Sequence, residues 1–141
     1  MFDNILLPID IHHPESWNKA LPLALEAIGK DGQLHILGIV HDLGSALVAS
    51  YLPPDFEKKA LQHMKNDLGE FAKKQVPDHA KVMTHVGHGH VSETILKAAK
   101  KVKADAIFMA SHPPDELRTF LVGSHANKVV RHAPMPVMVI R

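Results

Sequence analysis

The amino-acid sequence predicts an α/β fold in three layers, a five-stranded parallel sheet with helices on both faces. Two observations carry this expectation. Short runs of branched apolar residues alternate along the chain with segments of helical periodicity. The runs are also apolar at consecutive positions, as strands buried on both faces must be. A length of 141 residues suits one domain with one substantial core, spanning 1–141.

The first run, Phe2 to Ile9, reads as a buried strand followed by Asp10 and a loop over Ile11 to Pro14. From Glu15 the apolar positions Trp17, Ala20, Leu21, Ala24 and Ile28 recur at helical spacing. Pro22 is expected to kink that helix, and Gly29, Asp31 and Gly32 to end it in a turn. Gln33 to Val40 is the second strand, and His41 to Pro54 a long irregular loop of the kind that often carries function. Phe56, Ala60, Met64, Leu68 and Phe71 form the core stripe of a long helix whose other face is charged. Lys81 to His88 is a third strand. Ile95, Ala98, Ala99 and Val102 mark a helix, and Ala106 to Ala110 a fourth strand. Ser124 is placed to cap a last helix with Ala126, Val129, Val130 and Ala133 inward, before a fifth strand from Val137 to Arg141.

Such a βαβ series winds with right-handed crossovers, and its ligands bind where the winding reverses, at the carboxyl ends of the strands. Composition narrows what those ligands are. The formal net charge is only +1, so nucleic acid and anionic membranes are not expected partners. The absence of cysteine removes disulfides, thiol catalysis and thiolate-ligated zinc. The start MFDNILLPID lacks the features of a signal peptide, and a cytoplasmic location is the expectation.

Strand one ends in Asp10 and strand four in Ala110-Ser111-His112-Pro113-Pro114, while Gly123-Ser124-His125 opens the last helix. A helix start offers backbone N–H groups and partial positive charge to phosphate, although a Gly-Ser start is also an ordinary cap and Asp10 also suits a turn. No Walker loop or GxGxxG fingerprint is present. His85, His88 and His90 are spaced HxxHxH, which reads better as an exposed strand-end cluster than as a zinc site.

The blocks NILLPIDIHHPES, AIFMAS and LVGSHANKVVRHAPMPVMVIR resemble the universal stress protein family over essentially the whole chain, and ASHPPDELRTFLVGSHANKVVRHA looks most like the F- and G-type bacterial branch. The resemblance implies a flavodoxin-like sandwich, similar to the adenine nucleotide alpha hydrolases, with strand order 3-2-1-4-5. It implies ATP or a related adenine nucleotide as ligand, with magnesium as its companion ion. Asp10 would then meet the adenosine end, Pro8, Ile9 and Val40 would line the base pocket, and Ser111, His112, Gly123, Ser124 and His125 would surround the phosphates. Arg118 stands on the loop between and can reach them, or can equally be a solvated arginine. Ala110 and Pro113 replace the first two glycines of the family's phosphate loop, a departure that favours a nucleotide-free scaffold as the competing reading. A slow ATPase or self-phosphorylating protein is the enzyme alternative, but no acidic pair at the phosphate loop argues for fast turnover. The expected function is stress-response regulation through a protein partner. The apolar final strand at the sheet edge is expected to pair two copies into a homodimer, with a tetramer as the larger assembly.

Overall fold

The computed structural model describes residues 1–41, 50–111 and 123–141. Five strands, β1 (Phe2–Ile9), β2 (Ile28–Val40), β3 (Lys81–His88), β4 (Ala106–Ala110) and β5 (Val137–Ile140), form one parallel sheet in the order β3-β2-β1-β4-β5. The predicted flavodoxin-like order is therefore the observed one. Its central strand, β1, pairs with β2 through Ile5↔Leu34 and with β4 through Ile5↔Ala106.

Side-chain alternation along β1 distributes the core between the two helical layers. Ile5, Leu7 and Ile9 point to the layer containing α1 (Ala20–Ala27) and α2 (Phe56–Gln75). Leu6 points to the layer of α3 (Val91–Lys101) and α4 (Gly123–His132). Ile5, Leu6 and Leu7 are fully buried, each contributing about 1.5–3 kcal/mol relative to exposure. Glycines on both faces let helices approach the sheet. A Cβ on Gly38 would lie 2.8 Å from Met64 Sδ and 2.9 Å from Leu68 Cδ1 of α2, and one on Gly87 would collide with Thr94 of α3.

The amino end of the sheet is fastened across the chain. The Asp105 carboxylate accepts the N–H groups of Asp3 and Asn4 at 2.8 and 2.9 Å, and the Asp105 N–H donates to the Asn4 carbonyl at 2.9 Å.

Several boundaries differ from the sequence expectation. A single 3-10 turn (Pro14–Ser16) precedes α1, which begins only at Ala20. Pro22 thus sits in the first turn of α1, where a missing N–H costs little, and it does not kink a helix interior. Gly29 to Gly32 do not end the sheet pairing: β2 already pairs Ile28 with Phe2, and its register shifts before Gln33 meets Asn4. The expected turn is an irregularity within a longer strand. Ser124 lies inside α4 rather than at its cap, and Val130 of that helix is 51% exposed rather than inward-facing. Phe56, at the start of the α2 stripe, is 39% exposed, whereas Leu68 and Phe71 are buried in the core as expected. β5 stops at Ile140, one residue before the predicted end. Most of the predicted loop His41 to Pro54 lies outside the described residues. Among the described residues, no helix is long and apolar enough to cross a membrane.

Candidate functional site

The carboxyl ends of β1, β2 and β4 and the start of α3 enclose a cavity of about 190 Å³ at the reversal of winding. Pro8, Ile9 and Asp10 enter it from the end of β1 and Ala110 from the end of β4. Ile39 and His41 come from the end of β2, Met64 from α2, Val91 and Ile95 from α3, and Met109 from β4. The floor is apolar because each strand here ends in its own buried run. Of the cavity's polar groups, His41 comes from the end of β2, while Asp10, His12 and Ser16 arrive on the loop after β1.

That loop is organised around Asp10. Its Oδ1 accepts the N–H of His12 at 3.0 Å, and its Oδ2 lies 2.9 Å from His13 Nδ1. The Ser16 hydroxyl accepts the Asp10 N–H and donates to the Asp10 carbonyl, both at 2.9 Å. Asp10 therefore holds a turn and also borders the cavity, the two roles that the residues themselves left open. With two acceptor oxygens and roughly four lone-pair positions, the carboxylate retains acceptor capacity beyond these two contacts.

The phosphate-side residues are placed less completely. The Ser111 N–H is committed to the Ile140 carbonyl at 2.7 Å, so its hydroxyl is the group left to offer a ligand. Gly123 and Ser124 stand in the first turn of α4, with the surroundings of Gly123 and the Ser124 side chain outside the described portion. His112, Pro113 and Arg118 also lie outside the described residues. His125, half-buried in α4, is held below the ordinary histidine pKa, first by burial and then by the charges of His41 and Lys128.

Val40 does not line the cavity; its neighbours Ile39 and His41 do, and its carbonyl accepts the Gly89 N–H at 3.1 Å. Ile39, Met64, Val91, Ile95 and Met109 were not singled out from the sequence as site residues. Each belongs to a regular apolar pattern, and only the convergence of elements makes it part of a cavity. His41 carried a clearer signal, as the first polar residue after an apolar strand, the same signal that marked Asp10.

The HxxHxH residues do not converge. His85 lies 2.8 Å, Nε2 to Nδ1, from the buried His35 of β2, whereas His88 Nδ1 faces Glu57 at 3.5 Å and His90 is exposed. Among the described residues, no cluster of three or more His, Asp or Glu groups is placed to hold a metal ion.

The model of the universal stress protein family matches residues 1–141. The chain belongs to that family. Universal stress protein G of Salmonella typhimurium is 28% identical over 145 residues, covering all of both chains, which agrees with the likeness to the F- and G-type branch. Among solved structures, a protein called MJ0577, the subject of a structure-based assignment of biochemical function, is 25% identical. Its TM-score is 0.76, over 99% of this chain and 96% of that one. A universal stress protein solved in complex with cAMP has a TM-score of 0.59 at 16% identity, over 99% of this chain and 97% of the other, a likeness of fold.

Proposed function

We propose that residues 1–141 act as a single nucleotide-binding domain that holds ATP or a related adenine nucleotide in the cavity at the end of β1. The observation that carries this reading is an apolar cavity at the reversal of winding with the Asp10 carboxylate at its border. At about 190 Å³ it falls below the ~300–1,000 Å³ usual for a whole ligand, so it suits a base with part of its sugar. Pro8, Ile9, Ile39 and Met109 supply the apolar contacts for the ring, and Asp10 accepts hydrogen bonds from ribose hydroxyls or adenine. The phosphates then extend towards Ser111 and the start of α4, where helix N–H groups and the chain around Gly123, Ser124 and His125 receive them. His112, Arg118 and a magnesium ion complete this reading on the phosphate side.

Occupancy by nucleotide is passed to a protein partner, and the chain acts as a regulator of stress response in the cytoplasm rather than as a fast enzyme. Two copies pair along β5, an edge strand that has β4 as its one neighbour in the sheet. The competing scaffold reading keeps its support from Ala110 and Pro113, which stand where the family's loop has glycine.

The test begins with freshly purified protein, denatured and chromatographed for released nucleotide, followed by calorimetry with ATP and magnesium. Bound adenine nucleotide, or a saturable heat that Asp10→Ala weakens about tenfold or more, supports the proposal; a charge-assisted hydrogen bond of roughly 1.5–3 kcal/mol is lost. No released nucleotide and no heat at millimolar ATP leave the scaffold reading in its place.

A further inference from the structure

A second concavity, with no lining residue in common with the first, runs along the edge strand β3, from α3 on one face of the sheet to Lys65 of α2 on the other. It is larger, about 810 Å³, and its chemistry is different. Lys65 comes from α2, Lys97 and Lys101 from successive turns of α3, and His85, His88 and His90 from β3 and the turn after it. Glu93 is the one acidic residue on its wall, and Glu57 faces it only through His88. Near neutral pH the lining is cationic, and histidine protonation makes it more so.

From this groove we propose a second ligand site, for a small phosphate-bearing polyanion, separate from the cavity at the end of β1.

Three features of the lining select that chemistry. The cations are three lysines, and lysine serves phosphate as a point charge. Lys97 and Lys101 stand four residues apart on α3, on one face of the helix, so two charges project together rather than dispersing around it. In addition, Thr94 borders the groove and is nine-tenths buried, one turn before Lys97 on α3, which adds a short hydroxyl side chain to the wall beside Gly89.

The groove also contains a proton-dependent donor. His35 Nε2 lies 3.2 Å from Asn4 Oδ1, an atom that can only accept, so this nitrogen carries the proton. His35 Nδ1 is then the acceptor for the N–H of His85 Nε2 at 2.8 Å. The chain of bonds runs one way, and the remaining His85 nitrogen, Nδ1, takes up a proton without breaking it. A proton on His35 Nδ1 would break it. His85 is held below the ordinary histidine pKa, first by burial and then by the charge of Lys101. A polyanion beside Lys101 offsets that charge and raises the His85 value, so binding takes up protons. His85 is bonded to His35 of β2 and feels the charge of Lys101; the other titratable groups that line the groove with it are Lys97 and Glu93 from α3, Lys65 from α2 in the opposite helical layer, and His88 and His90 beyond it on its own strand and turn.

The probe is inorganic pyrophosphate, titrated by calorimetry and by amide NMR into the full chain at pH 6 and pH 8. The proposal expects saturable binding, shifts at the amides of Gly87, Gly89 and His90, tighter affinity at pH 6, and at least tenfold weaker binding by Lys97→Gln/Lys101→Gln. Both lysines are exposed, so the double variant is expected to keep its fold. Shifts confined to the Asp10 and Ser111 crevice would overturn the second site, as would an unchanged affinity in the double variant. Citrate that binds as tightly as pyrophosphate would overturn the phosphate class. Failure here leaves the nucleotide proposal untouched, because that reading concerns the other cavity.

Discussion

Substitution of Gly38 by alanine adds one methyl group at the place where α2 rests on β2. The new Cβ would stand 2.8 Å from Met64 Sδ and 2.9 Å from Leu68 Cδ1, well inside ordinary contact, which begins near 3.4 Å. Both must shift: Met64, a longer and more flexible chain, can swing aside, whereas Leu68 is fully buried and must be displaced within the core. Overpacking of this kind costs about 1–3 kcal/mol. At about 2.1 cal/mol/K per residue, the unfolding entropy is about 0.3 kcal/mol/K for a chain of this length, so the melting temperature should fall by about 3–10 °C. Met64 also lines the cavity at the end of β1, and its displacement should weaken ligand affinity there in the same variant. Differential scanning calorimetry reads the first effect, and Gly38→Ala/Met64→Ala should recover part of the loss by clearing the space. An unchanged melting temperature, or no recovery in the double variant, would show that α2 does not press on Gly38 as described.

Three other outcomes are expected. His35 and His85 both have lowered pKa values, mainly from burial, so the unfolded chain binds more protons and stability should fall as pH drops below about 6.5. His35→Gln should flatten that decline between pH 7.5 and pH 5 in denaturant titrations, and an identical slope would remove the pair as its cause. On the proposed phosphate placement, Gly123→Val should abolish ATP binding with native far-ultraviolet circular dichroism, since a side chain there would obstruct the approach of phosphate to the backbone; binding equal to wild type would refute the phosphate-loop assignment. Val139→Pro should weaken the β5-paired dimer in light scattering by removing a backbone donor, and a monomeric wild type would refute the interface itself.

The strands were legible because β1 and β4 carry runs that the sheet buries and the flanking residues end abruptly, while the edge strand β3 is only partly buried; the bounds of all three agree with the expectation to the residue. The start of β2 was hidden, since Gly29, Lys30, Asp31 and Gly32 have turn chemistry and only pairing with Phe2 keeps them in the sheet. Periodicity placed Val130 and Phe56 inward because it reports a helical face but not how far the neighbouring layer extends over it. Asp10 could be found as the carboxylate that ends an apolar strand. Met64 and Ile95 could not, because their part in the cavity arises from packing between elements far apart in sequence. The His35–His85 bond joins residues 50 positions apart, and neither had a local signal of pairing.

The fastening of the amino end by Asp105 has a consequence for the order of events in synthesis. β1 is made first, yet one of its two edges is completed only by β4, and the Asp105 clasp reaches back 101 and 102 residues to Asn4 and Asp3. At a translation rate of about 5–20 residues per second, that edge waits roughly 5–20 s for its partner. During that interval the nascent chain carries Ile5, Leu6 and Leu7 on a half-paired strand, a template for pairing with other chains. Closure across so long a segment adds to that interval, because its loop entropy must be met before the β1–β4 contacts reward it.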